Sequence, residues 1–190
     1  MRESELLEDA GAAIHEEHPF LPPAGERNPV RRLRGRLAGP VSVLTAEHAG
    51  QRAGLTVSSV LVVDGEPGQL LVIVDPLSDL YDAVQGSGAA VLNLLSWSDR
   101  QLAEAFGYQV PAPGGPFRLA EWAASEWGPV LVGASAWAGC RATGQPWRTV
   151  GWGVELQLTI QSVTVGRDAA PLVHHRGRYT TLHEPGPSRD

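Results

Sequence analysis

From Val41 onward the chain is written as short apolar and β-branched runs, each cut off by a glycine, a proline or a polar turn. That pattern excludes long helices and points to strands. Val41 to Ala46 alternates β-branched with other residues, and Leu55 to Val63 is a longer run rich in Val, Ser and Thr. Gln69 to Val74 is almost wholly apolar, as expected of a strand buried on both faces. Ala89 to Leu95 is another strand. The segments Val130 to Thr143, Trp147 to Gly166 and Pro171 to Leu182 read as three long strands, bent or bulged at their internal glycines. Two helices interrupt the series. Ser78 to Gln85 opens on a serine cap with Asp79 and Asp82 near its start, and stops at Gly86. Ser98 to Phe106 has its own serine cap, a Leu102/Phe106 pair one turn apart, and Gly107 as its stop. Tyr108 to Pro116 is too rich in proline and glycine for regular structure and reads as a surface loop. About six or seven strands with few helices define a mainly β chain, a closed β-barrel with small helical insertions.

The first part of the chain differs. Residues 1–27 read as an N-terminal arm, in which Ser4 to Glu17 has the spacing of an acidic amphipathic helix through Leu6, Leu7, Ala10 and Ile14. His18-Pro19-Phe20-Leu21-Pro22-Pro23 ends it, because proline lacks the backbone N–H a helix needs. Asn28-Pro29 then starts a helix expected to run to about Ala38 and to stop at Gly39-Pro40. Its run Arg31-Arg32-Leu33-Arg34-Gly35-Arg36 reads as a solvated helix side, with anion binding or a subunit contact as the other reading. The domain is expected over 28–183, with 184–190 as a C-terminal tail.

Composition removes whole classes of function. The net charge is −6 and the arginines are scattered, which argues against a nucleic-acid-binding face. The chain has no lysine, so it cannot form a Schiff base. Its one cysteine, Cys140, rules out an internal disulfide and sits in an apolar run as a small hydrophobe. The first eighteen residues carry six acids and one arginine, unlike a secretory signal. No apolar run is long enough to cross a bilayer as a helix, so a cytoplasmic location without membrane contact is expected. The six histidines form no metal-ligand spacing; His174 and His175 are adjacent and would point to opposite faces of a strand. No metal site is expected. Neither a nucleophile elbow nor a dinucleotide-binding glycine fingerprint occurs.

Two stretches invite a ligand. Val74-Asp75-Pro76-Leu77-Ser78 leads from a strand into a helix, whose free N–H groups and partial positive charge suit a phosphate. The other reading is a plain serine cap, since Asp75 and Asp79 would repel a dianion. Gly54-Leu55-Thr56-Val57-Ser58-Ser59 places three hydroxyls at the start of a strand otherwise built for burial. They either bond neighbouring backbone or meet a polar ligand lying along the strand.

Taken in order, these segments carry a resemblance. Val43-Leu44-Thr45-Ala46 is followed by Ala53 to Ser59, Val74 to Ser78, Ser87-Gly88, Val91 to Ser96, Leu102-Ala103-Glu104-Ala105-Phe106 and Pro171 to Tyr179. Over residues 29–182 the chain resembles the flavin reductase-like family with the FMN-binding split-barrel fold. The resemblance implies a Greek-key-type β-barrel and a homodimer with flavin held near the subunit interface. It places Thr56, Val57, Ser58 and Ser59 along the isoalloxazine edge, and Asp75 and Ser78 at the ribityl chain and phosphate. Ser87, Gly88 and Asn93 fall near the same ligand, and His175, Arg176 and Arg178 close the site. It implies NAD(P)H-dependent reduction of FMN or FAD, NADH or NADPH being the cosubstrate, with reduced flavin passing to a partner monooxygenase. No acid–base pair of the protein's own is required, because the chemistry is the cofactor's. The alternative is a non-catalytic flavin carrier or sensor on the same barrel. Two positions depart from the family pattern. Leu80 stands where many members carry a threonine. Gly144-Gln145-Pro146-Trp147-Arg148 stands where many reductases carry Gly-Asp-His, which puts Trp147 and Arg148 on the nicotinamide side.

Overall fold

The structure is a computed structural model that describes residues 29–182. The acidic segment 4–17, the remainder of the arm and the tail 184–190 lie outside those residues. The chain divides into two compact units, 1–37 and 38–190. The division falls after Leu37, so α1 lies in the first unit.

In the first unit, α1 (Pro29–Arg36) begins on its proline and buries none of its residues. Its end lies two residues before Ala38. Gly39–Pro40 does more than stop a helix: it forms a short strand, β1, of the second unit.

The second unit is built on an antiparallel sheet that curls into a half-barrel. Its strands are β2 (Ser42–His48), β3 (Gln51–Val57), β4 (Val60–Val63), β5 (Gln69–Val74), β6 (Ala89–Leu94), β9 (Ala136–Ala142), β10 (Arg148–Val150) and β11 (Gly153–Val165), in the order β3-β2-β6-β9-β11-β5-β4 with β10 beside β11. A two-stranded hairpin pairs β7 (Trp122–Ser125) with β8 (Gly128–Leu131). A three-stranded sheet joins β1 to β12 (Leu172–His175) and β13 (Arg178–Thr181). Helix α2 (Asp79–Ser87) links β5 to β6, and α3 (Arg100–Phe106) follows β6.

Strand β2 divides two cores. Leu44 and Ala46 face the barrel interior with Leu70, Val72, Leu156, Leu158 and the Leu80/Val84 side of α2. Val43 faces a second cluster with Leu102 and Phe106 of α3, Leu131 and Leu172. Alternating side chains in a strand explain this two-sided burial.

Several expected strands break. Leu55–Val63 divides at Ser58–Ser59, where the chain leaves its pairing with β2 and takes up β5. Val130–Thr143 divides at Gly133, whose φ of +85° turns the backbone out of the strand. Trp147–Gly166 divides at the Gly151 turn, and Pro171–Leu182 is a hairpin through Arg176 and Gly177. Gln69–Val74 buries Leu70, Val72 and Val74 fully but its other face only partly, so it is not covered equally on both sides.

The helices shift as well. Ser78 is the cap of α2, but the helix passes Gly86 and ends at Gly88 in the left-handed conformation. Gly86 is tolerated inside because the ring of His48 fills the space a Cβ would need. Before α3, residues Trp97–Asp99 form a 3-10 turn, so the helix proper starts after Ser98. Asp99 accepts from the backbone N–H of Ser96 at 2.8 Å and from its hydroxyl at 2.6 Å.

Candidate functional site at the end of strand β5

Three segments converge where β5 ends. The first is the break between β3 and β4. Thr56 donates its hydroxyl to the Ala103 carbonyl of α3 at 2.8 Å, so it follows the backbone-bonding reading. Val57 is buried, whereas the Ser58 and Ser59 side chains are exposed. The Ser59 carbonyl accepts from Ile73 N–H at 3.0 Å, which holds this break against the last residues of β5.

The second segment is the turn into α2. Asp75 Oδ1 accepts from Leu77 N–H at 2.8 Å, and the Asp75 carbonyl accepts from the Ser78 hydroxyl at 2.7 Å. Ser78 Oγ in turn accepts from Tyr81 N–H at 3.3 Å. The turn therefore satisfies much of its own helix end. Asp79 and Asp82 add negative charge in the first turn, favourable to the helix and unfavourable to an anion. Leu80, at 1% exposure, belongs to the core.

The third segment is the loop into β10. The rings of Trp147 and Tyr81 meet edge to face, 5.3 Å between centroids. Arg148 donates to Glu155 Oε2 from Nη2 at 2.6 Å and from Nε at 3.1 Å. Glu155 stands directly across from Ile73, and Val154 across from Val74. A Cβ on Gly153 would come within 2.6 Å of Ile73 Cγ2 and 3.0 Å of the Val74 carbonyl, so β11 is pressed against the end of β5.

The β12–β13 hairpin approaches the first of these segments. Gly39 pairs with His174, and a Cβ on Gly39 would lie 3.4 Å from the Ser58 carbonyl. His175 is half-buried beside the turn, and Arg176 and Arg178 are exposed. Arg176 holds φ at +52°, an uncommon setting for a residue with a side chain. Behind them Tyr179 packs edge-on to His174 at 5.8 Å. Burial and the Glu104 carboxylate raise the Tyr179 pKa, a hydrogen bond with Gln109 acting the other way.

Two expected groups stand apart. Ser87 and Gly88 are at the far end of α2, whose nine residues span about 13 Å. Ser87 donates its hydroxyl to the Ala83 carbonyl at 2.7 Å and accepts from Ala89 N–H at 3.2 Å, finishing its own helix. It lines a separate cavity of about 240 Å³ with Glu47, Ser125 and Trp127. Asn93 is fully buried. It donates to the Val43 carbonyl and to Thr45 Oγ1 at 3.2 and 3.1 Å and accepts from Leu131 N–H at 2.8 Å, tying β2, β6 and β8 together. Within this chain its amide serves the frame rather than a ligand. Cys140 is buried, and burial pushes its thiol up to about 12. Trp152, by contrast, is 90% exposed and belongs to no core.

Tyr81 and Glu155 were not among the residues singled out from the sequence. The signal for Glu155 is its place four residues past the Gly151 turn, where a hairpin sets it across from Arg148. Tyr81 is marked only by standing three residues after the Ser78 cap.

Comparison with known proteins places the chain. Residues 34–183 match the family model described as flavin reductase like domain. An FMN reductase (NADH) RutF of Ancylobacter novellus is 35% identical over 120 residues, which is 63% of this chain and 66%, just under two thirds, of that one. The protein of the same description from Variovorax paradoxus is 28% identical over 95% of this chain and 99% of its own length. Among solved structures, a Mycobacterium thermoresistibile homologue of nitrilotriacetate monooxygenase component B superposes with a TM-score of 0.74 at 22% identity, over 84% of this chain and 89% of that one. The likeness to that structure is one of fold. On the match of its family model to most of its length, this chain belongs to the flavin reductase-like family.

Proposed function

We propose that the chain is an NAD(P)H-dependent flavin reductase that reduces FMN or FAD at the end of β5. The observation that carries the reading is the convergence of Thr56–Ser59, Asp75–Ser78 and Trp147–Arg148 there, in a chain of this family. The curated relatives named FMN reductase (NADH) support the activity and the cosubstrate. The residues present fit a flavin's ring and ribityl chain. Ser58 and Ser59 offer exposed hydroxyls beside the backbone of the β3–β4 break, and Asp75 and Ser78 border the same end. His175, Arg176 and Arg178 are the flanking groups in this reading, and the two arginines supply positive charge against a phosphate.

When bound, flavin supplies the redox chemistry by accepting a hydride from reduced nicotinamide. The chain's part is to hold the two rings together, keep them in register and aim polar groups at the flavin edge. Ser58 and Ser59 orient that edge, while the capped turn of α2 fixes the ribityl end. None of this requires a protein acid–base pair.

The enzyme works as a homodimer in this reading. Strand β4 ends the sheet with Leu61, Val62 and Val63 exposed, a surface suited to a second copy. The domain is taken to run over 28–183, a span that includes the 34–183 matched by the family model. Reduced flavin passes to a partner monooxygenase, as the component name of the structural relative supports. The cytoplasm, with its reduced nicotinamide pool, is the proposed location. Among the described residues no helix is long and apolar enough to cross a membrane.

The test is NADH and NADPH oxidation by the purified chain, followed at their absorbance band, with and without FMN or FAD. Flavin-dependent turnover well above the free-flavin blank is the expected result. Tight flavin binding without turnover would replace the reductase by the carrier or sensor reading.

A further inference from the structure

We propose that Trp147 is a positioning residue for the flavin half of the site, latching the β9–β10 loop to the first turn of α2 through Tyr81. This inference rests on the flavin reductase reading and reverses one of its details. The family resemblance puts Trp147 and Arg148 beside the nicotinamide. The geometry gives each a partner on the flavin side instead.

The Trp147 ring is half-buried, packs against the barrel core and meets Tyr81 at 5.3 Å with the planes 65° apart. Tyr81 is fixed in turn, because its backbone N–H is the one received by Ser78 Oγ. Ser78 is bonded to the Asp75 carbonyl through both its hydroxyl and its own N–H. Contact with Trp147 is therefore contact with the whole Asp75–Ser78 turn. The neighbouring residue closes the second half of the latch. Arg148 is held to Glu155 by two hydrogen bonds, and Glu155 pairs across to Ile73, two residues before Asp75. Gly153 allows this approach, since any side chain there would strike Ile73 and the Val74 carbonyl. Trp147 thus meets the element that follows the Asp75–Ser78 turn, and Arg148 is tied through Glu155 to the strand that precedes it. An aromatic pair at this distance resists sliding in a way aliphatic contacts do not, because edge-to-face packing is directional.

The consequence is a split between the two substrates. Loosening the latch lets the turn drift, and drift of about 1 Å in a positioning element is enough to weaken binding severalfold or more. The loss falls on flavin and not on the dinucleotide.

The experiment is steady-state kinetics of the full chain with each substrate varied in turn, together with flavin affinity by fluorescence titration. Trp147→Ala is expected to raise the flavin KM and Kd about tenfold and to leave the nicotinamide KM within about twofold. Trp147→Phe, which keeps an edge-to-face partner, should restore most of the flavin affinity. Tyr81→Ala should match Trp147→Ala, and the double variant should be no worse than either alone, the mark of residues acting as one unit. A raised nicotinamide KM with an unchanged flavin Kd would overturn the latch and return Trp147 to the nicotinamide side. Additive losses in the double variant would overturn it too. The affinity titration needs no turnover, so it tests the latch even if the wild-type chain oxidises no nicotinamide, a result that would sink the reductase reading alone. If Trp147→Ala fails to fold, Trp147→Leu against Trp147→Phe makes the same comparison with the volume largely kept.

Discussion

At the scale of single residues, Leu80 decides between two accounts of the α2 entrance. Many family members place a threonine there, which makes Leu80 look like a lost phosphate donor. The side chain instead lies in the barrel core beside Val84, Leu70 and Val72. Leu80→Thr would therefore not restore a ligand contact. It would remove buried methyl groups and bury a hydroxyl, at a cost of about 2–4 kcal/mol. The expected outcome is a lower denaturant midpoint with no gain in flavin affinity. A tighter flavin Kd at unchanged stability would show that this position faces the ligand. Cys140 permits a second residue-scale test. Burial holds its pKa near 12, so the folded state keeps the proton over a range where the unfolded chain, with an ordinary thiol near 9.0, has lost it. The sign follows from linkage: proton binding favours the folded state in that window, so this thiol's contribution to stability declines as pH rises from about 9 toward 12. The thiolate is the reactive form, so a thiol reagent at pH 8 should leave the native protein unlabelled and modify one group in denaturant. Labelling of the native protein at the denatured rate would contradict the buried placement.

At the scale of elements, strand identity was legible and strand ends were not. Apolar and β-branched runs mark Val41–Ala46 and Ala89–Leu95, because both strands are buried on both faces. The Ser58–Ser59 break carries no such mark. It arises because β3 pairs with β2 while β4 pairs with β5, and partner choice is a tertiary fact. The same holds for Gly86, which reads as a helix stop until the ring of His48 is seen against it. Asn93 is the matching case among the expected site residues. Its polarity in an apolar strand is visible in the sequence, but only the packing reveals that the amide is fully used between β2, β6 and β8. The Thr56–Ser59 and Asp75–Ser78 segments were legible because hydroxyls and a capping turn are local signals. Tyr81 and Glu155 were not, because Tyr81 gains its role from packing against Trp147 and Glu155 from pairings across the sheet.

At the scale of the whole molecule, the free edge of the sheet poses the largest physical question. A strand buries one face and exposes the other when it caps a sheet in a monomer. Strand β4 exposes both: successive residues Leu61 and Val62 are 57% and 55% exposed, and they point to opposite faces. Val63 extends the same apolar strip. An edge of this kind, without lysine, proline or an inward charge to blunt it, is open to pairing with another chain. In the homodimer proposed above, a second copy would cover it and would bring a second set of Ser58 and Ser59 hydroxyls close to the interface, since they lie immediately before β4. Light scattering on a sizing column at micromolar concentration should thus report twice the chain mass of 20.2 kDa. Val62→Lys would place a charge at the covered strip and should shift the population to monomer. Flavin affinity should fall with it, by about tenfold or more if the partner completes the site. A wild-type monomer, or a dimer indifferent to lysine at both Leu61 and Val62, would separate β4 from assembly and require another role for its exposed apolar side chains.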